Sequence, residues 1–180
     1  MNHTDTETVI AKTKKWIIDV VIGCNFCPFA AREVKKNSIH YEVLQNATAE
    51  TVLEAVIQSF QKLDENENIE TSLLILPGSF QPFEDYLQLH DMAEALLAEQ
   101  DYEGIYQIAS FHPEYLFAGS TDDDPSNYTN RSPYPMLHFL REDSVSKAID
   151  SYPDIDEVPN RNIAFTQEKG LQYMIQLLGN

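Results

Sequence analysis

Ser72-Leu73-Leu74-Ile75-Leu76 is a run of five with a single polar side chain, closed by Pro77-Gly78-Ser79-Phe80. A strand with one wet face alternates polar and apolar residues. A short run this evenly apolar is the pattern of a strand covered on both faces. Its neighbours supply the cover. Upstream, residues 39–44 alternate as another strand, and Thr48 is placed to cap a helix with an apolar stripe of Val52, Leu53, Val56, Ile57, Phe60 and Leu63. Downstream, residues 83–100 read as a long helix that is apolar on much of its circumference, and residues 104–109 as a third strand. Residues 136–140 add a fourth. The order β-α-β-α-β makes the first three strands run the same way, with their C-terminal ends along one edge. The expected fold is α+β (or α/β): a mixed, partly parallel sheet of about four strands packed with about five helices.

The two ends of the chain add helices. Over residues 8–22, Val9, Thr13, Trp16, Ile17, Val20 and Val21 fall on one face, which Cys24 continues, and Gly23 is a plausible stop. Pro28 suits the first position of a short helix reaching about Lys36. That places Cys27 at or near an N-cap, where unpaired backbone N–H groups favour a thiolate. Residues 144–150 read as a short helix, residues 151–162 as a connecting loop, and residues 165–178 as a last amphipathic helix.

Composition bounds the function. A chain of 180 residues suits a single domain over residues 1–180. Its 12 basic residues face 29 acidic ones, for a net charge of -17. Such a surface repels phosphate backbones and anionic lipid, which argues against nucleic-acid and membrane partners. Two cysteines cannot build a disulfide scaffold, no apolar segment approaches membrane-spanning length, and the N-terminal residues lack a secretory pattern. A cytoplasmic protein is expected. Oligomeric state and cofactor stay open.

Residues 110–142, SFHPEYLFAGSTDDDPSNYTNRSPYPMLHFLRE, carry the chemistry. From 116 to 135 neither helical nor strand periodicity is present, yet Phe117, Tyr128, Tyr134 and the prolines argue for an ordered loop. Because it follows the third strand, His112 should lie near residues 77–80, which follow the second. Ligand sites in open sheets collect at that edge. His112 then reads either as a general base, nucleophile partner or metal ligand, or as a buried histidine bonded to a carbonyl. His138 points away from Leu137 and Phe139, toward the loop or solvent if those two face the core. Arg131, with Tyr115, Asn127, Asn130 and Ser132, forms the candidate ligand-binding set: an anion anchor, or an arginine that pairs with a nearby aspartate and stitches the loop together. Arg141 reads as a structural ion pair or a neighbour of the next helix start. Asp122, Asp123 and Asp124 beside Pro125 are better explained as a turn than as a Mg²⁺ or Ca²⁺ site. Cys24-x-x-Cys27 lacks a second pair, so Cys24 reads as core and Cys27 as the candidate reactive thiol. His3, His40 and His90 read as structural or solvated.

The pattern Gly23-x-Asn25-x-Cys27-Pro28-Phe29-Ala30, followed by Phe111-His112-Pro113-x-Tyr115-x-Phe117-x-Gly119 and by the run from Asp123 to Pro135 with His138, resembles a bacterial family known as domain of unknown function 1415. The resemblance covers essentially the whole chain. It implies a single-domain protein of this length and carries no activity. Within it the position of Cys24 is usually apolar, which sets a shared C-x-x-C site in doubt. Three functional readings follow. The first is an enzyme or binding protein for a small anionic metabolite, with Cys27, His112 and His138 catalytic. The second is a zinc or iron protein using Cys27, His112 and His138. The third is a structural or partner-binding protein without chemistry.

Overall fold

All five residues of β2 (Thr71–Ile75) are buried, as the uniform apolar run requires, and the strand has a hydrogen-bonded neighbour on each side. The computed structural model describes residues 5–179; His3 lies outside them. β1 (Ile39–Val43) pairs with β2 in parallel, Tyr41 opposite Leu73. On the other side of β2 runs β4 (Met136–Arg141), antiparallel, with His138 opposite Leu73. β3 (Tyr106–Phe111) pairs antiparallel with the far side of β4, Ala109 opposite His138. The order is β1-β2-β4-β3. The first three strands therefore do run the same way, but they are not contiguous. β4 lies between β2 and β3 and takes the hydrogen bonds each would otherwise give the other.

Helices cover both faces. α3 (Ala49–Glu65) and α4 (Phe83–Glu99) lie on one, where Val52, Val56, Phe60, Tyr86 and Leu89 pack on Leu74, Ile108, Leu137 and Phe139. Phe60 is wholly buried, stacked on Tyr106 at 5.5 Å between centroids and edge-on to Phe139 at 5.4 Å. Truncating such a phenylalanine to alanine costs about 3–5 kcal/mol. Thr48 caps α3 through a reciprocal bond pair with Thr51. At its other end α3 has no glycine. The Arg141 guanidinium takes the terminal carbonyls of α3 instead, Leu63 O at 2.6 Å and Asn66 O at 3.3 Å, and also bonds Ile69 O in the loop beyond at 3.0 Å. Arg141 is thus a cap for a distant helix rather than half of an ion pair.

The second face carries α1 (Thr6–Trp16), α2 (Ala30–Lys36), α5 (Glu142–Ser151), α6 (Val158–Lys169) and α7 (Leu171–Leu178). Val9, Trp16, Ile17, Val20 and Met174 pack there with Leu73, Ile75 and Met136. α1 does not end at Trp16 but widens into a π-helical stretch, Ile17–Ile22, in which Gly23 N–H reaches Ile18 O at 3.0 Å. Gly23 stands so close to the preceding turn that a Cβ there would lie 2.2 Å from Asp19 O.

The described residues form seven α-helices rather than about five. Residues 151–162 are not all loop: a 3₁₀ turn, Ile155–Glu157, leads into α6, whose start uses Pro159 in its first turn. Gly170, at φ 78° and ψ 163°, then breaks what reads as one terminal helix into α6 and α7. α2 begins at Ala30 with Phe29 at the cap, so Cys27 lies two residues ahead of the N-cap rather than at it.

Candidate functional site

His138 occupies the middle of β4, flanked in register by Leu73 and Ala109. Strand alternation turns Leu137 and Phe139 to the α3–α4 side and His138 to the other. That other side is not solvent but the second helical layer, which does not settle fully on the sheet. A cavity of about 330 Å³ remains between them. Leu73, Ala109, Phe111, Leu140, Thr71 and His138 form its floor. Trp16, Ile17 and Val21 enter from α1 and its π-helical extension, Cys27, Phe29 and Ala30 from the turn into α2, and Val145 and Ala148 from α5.

The polar groups of the cavity are partly engaged already. His138 Nε2 lies 2.6 Å from Thr71 Oγ1, which in turn donates to Phe139 O at 2.7 Å. Burial pushes His138 down to about 4, so the ring is neutral near pH 7. Arg32 also lines the cavity and donates to Glu33 at 2.5 Å. Burial works to raise the Glu33 carboxyl, but hydrogen bonds from Ser38 and Arg32 and the charges of Arg32 and Lys36 outweigh it and hold the carboxyl below the usual range. Arg141 is committed to the end of α3, as described. Cys27 is half-buried in the cavity wall, whereas Cys24 is in the core, its thiol pushed up by burial against the opposing charge of Lys169. Among the described residues, no hydrogen bond joins the Cys27 thiol to either site histidine.

His112 lies elsewhere. The topology does bring it to residues 77–80, where its Nε2 donates to Phe80 O at 3.0 Å. Its Nδ1 accepts from Glu114 N–H at 3.0 Å, and the ring is wholly buried against Phe83 and Tyr86 on the α4 side. Burial lowers its proton affinity, offset in part by the carbonyl of Phe80. Of the three candidate catalytic residues, then, the fold gathers Cys27 and His138 around one space and leaves His112 outside it.

The candidate ligand-binding set serves the loop's own backbone. Asn127 is fully buried; its Oδ1 accepts from Phe117 N–H and Ser120 Oγ, and its Nδ2 donates to Thr121 O. Arg131 donates to Tyr115 O and Asp122 O and covers the Tyr128 ring at 4.6 Å. It stitches the loop through carbonyls, not carboxylates. Asn130 Nδ2 donates to Ser110 O, Ser132 Oγ to Tyr134 O, and the Tyr115 ring packs on Phe83 and Phe117. Asp124 accepts from Ser126 N–H and Gln167. Among the described residues no three His, Cys, Asp or Glu side chains converge to hold a metal, and His112 is on the far side of the sheet from Cys27 and His138. The loop bears on the cavity indirectly: Trp16 Nε1 donates to Arg131 O at 3.0 Å, and the Trp16 ring meets Phe111 edge-on at 5.1 Å. Thr71 and Ala109 are the residues that sequence reasoning passed over. The alternation Gln107, Ala109, Phe111 beside Thr71, Leu73 was the available sign of a second buried face.

Fold and site together define an α+β protein with helices on both faces of a mixed sheet and an apolar cavity beneath one helical layer. The chain belongs to the family described as "Protein of unknown function (DUF1415)", whose pattern matches residues 8–176. No curated protein and no solved structure matches it. No helix among the described residues is long and apolar enough to cross a membrane.

Proposed function

We propose that this protein binds a small, predominantly apolar molecule in the cavity between the sheet and the α1–α2–α5 layer, with His138 and Cys27 as its polar contacts. One observation carries the reading: a volume of about 330 Å³, lined chiefly by aromatic and aliphatic side chains together with Cys27 and His138, and also bordered by Arg32, Glu33, Glu70, Gln107, Arg141 and Ser144. Ligand sites begin near this size, and a cavity of about 150 Å³ already takes benzene. The anionic ligand expected from the loop has less support, because Arg131 gives Nε and Nη2 to carbonyls of its own loop and lies over the Tyr128 ring.

A thermal-shift screen of small apolar compounds tests this. Ala109 is the smallest floor residue and sits beside His138 in register, so Ala109→Phe fills the cavity. Compounds that raise the melting temperature of the wild-type protein and leave Ala109→Phe unmoved support the reading. A screen without such compounds, or with equal shifts in both proteins, defeats it.

The thiol gives a second reading, covalent catalysis. Cys27 attacks the carbonyl carbon of a bound thioester: the new S–C bond forms, the old one breaks, and the Cys27 proton passes by way of the neutral His138 ring to the departing thiolate. Mass spectrometry of protein incubated with a small apolar thioester checks this: acylation of Cys27 that slows in His138→Gln supports it, and an unmodified Cys27 removes it.

A further inference from the structure

The protons around His138 are fixed by their partners. Thr71 Oγ1 is 2.6 Å from His138 Nε2 and 2.7 Å from Phe139 O. A hydroxyl has one proton, and a carbonyl oxygen only accepts. The Thr71 proton therefore goes to Phe139 O, and the Nε2 contact is an N–H donated by the ring to Thr71. The reverse arrangement would leave two oxygens 2.7 Å apart with no proton between them. A neutral imidazole has one N–H, so Nδ1 keeps a bare lone pair. No described residue donates to Nδ1. Nor is it sealed in protein, since among the described residues the buried side-chain atoms without partners are Ser72 Oγ and Asn162 Oδ1. It is open to the cavity that His138 lines.

Resting on the small-molecule reading above, we infer that the ligand is a neutral molecule with an apolar body and one hydrogen-bond donor, a hydroxyl or N–H, that donates to His138 Nδ1. The surroundings select against other classes. A carboxylate would set its own lone pairs against that of Nδ1 and would require a protonated ring, which burial opposes. An ether or ketone of the same shape would leave two acceptors facing each other in an apolar space, and an unpaired buried acceptor is penalised.

Trp16 is the chain's single tryptophan and lines the cavity, so its fluorescence reports occupancy without a label. Three probes transparent at its excitation wavelength separate the classes: cyclohexylmethanol, its methyl ether and cyclohexanecarboxylate, each titrated at pH 7. The alcohol is expected to bind about fivefold tighter than the ether, the worth of one neutral hydrogen bond, with the carboxylate weakest. Thr71→Val frees Nε2 and should bring the alcohol-to-ether ratio toward one; His138→Phe should do the same. Equal binding of alcohol and ether by the wild-type protein overturns the donor inference but leaves the cavity reading intact. Tightest binding by the carboxylate overturns it in favour of an anion. Failure of all three probes to bind overturns both together. A ligand-free check is ¹⁵N NMR of the imidazole nitrogens: a pyridine-like Nδ1 supports the inference, and a protonated Nδ1 with bare Nε2 refutes it on its own.

Discussion

Acid should weaken this fold through His138. In the unfolded chain the imidazole takes its proton near pH 6.5; in the folded protein it does so only near pH 4, because the cavity side of the sheet cannot solvate the cation. The unfolded state therefore binds the proton more readily. The stabilisation is complete above pH 6.5 and is lost as the pH falls toward 4. From those two values the loss reaches about 3 kcal/mol by pH 4, a large part of the 5–15 kcal/mol that holds a typical domain together. Other groups titrate over the same range, including His112 and His40, both lowered by burial. A paired comparison removes them: urea unfolding of the wild-type protein and of His138→Leu, at constant ionic strength, from pH 7 to pH 4. The wild-type protein should lose about 3 kcal/mol more than the variant across that range. NMR titration of the folded protein should place the His138 transition far below that of an exposed histidine. Parallel pH profiles, or a His138 transition near 6.5 in the folded state, would refute the reasoning.

Three further outcomes are expected. Asn127→Ala removes an amide that satisfies three loop groups while fully buried, and should lower stability by about 2 kcal/mol or more in chemical denaturation; a change within about 0.5 kcal/mol would show that the loop holds itself without it. Gly23→Ala should lower the melting temperature even though alanine favours helices by about 1 kcal/mol, because its Cβ would collide with Asp19 O; a rise in melting temperature would count against the tight π-helical packing. Iodoacetamide under native conditions should alkylate Cys27, which lines the cavity, and spare buried Cys24 until the protein is denatured; peptide mapping that finds both modified at equal rates contradicts this placement.

Much of the architecture was legible because it follows from burial. The apolar run before Pro77 announced a central strand, the stripe from Val52 to Leu63 announced a helix on one side of it, and helical crossovers put His112 beside Phe80, where it is found. What escaped was whatever depends on a second partner. The alternation of Leu137, His138 and Phe139 shows two faces but not whether the second is roofed; that depends on α1 and α5, far away in sequence. The apolar residues of Ile17–Ile22 fit a helical face whether the turn is α or π, so the wider turn left no mark except Gly23. The polar loop misled for a related reason. Asn127, Asn130, Arg131 and Ser132 have the donors an anion would want, and composition does not say whether those donors face a ligand or their own carbonyls.

The strand that stands second from the edge of the sheet is the last of the four to be made. Synthesis delivers β1, β2 and β3 first, yet β2 and β3 share no backbone bond and meet only through β4. A nascent chain that stops short of Met136 thus exposes two open ribbon edges with a vacant slot between them. Until Arg141 emerges, the end of α3 also lacks its guanidinium cap. Assembly of this sheet ends with an insertion between two strands already made rather than growth from one margin, and the open edges flanking that slot are what a neighbouring chain would pair with.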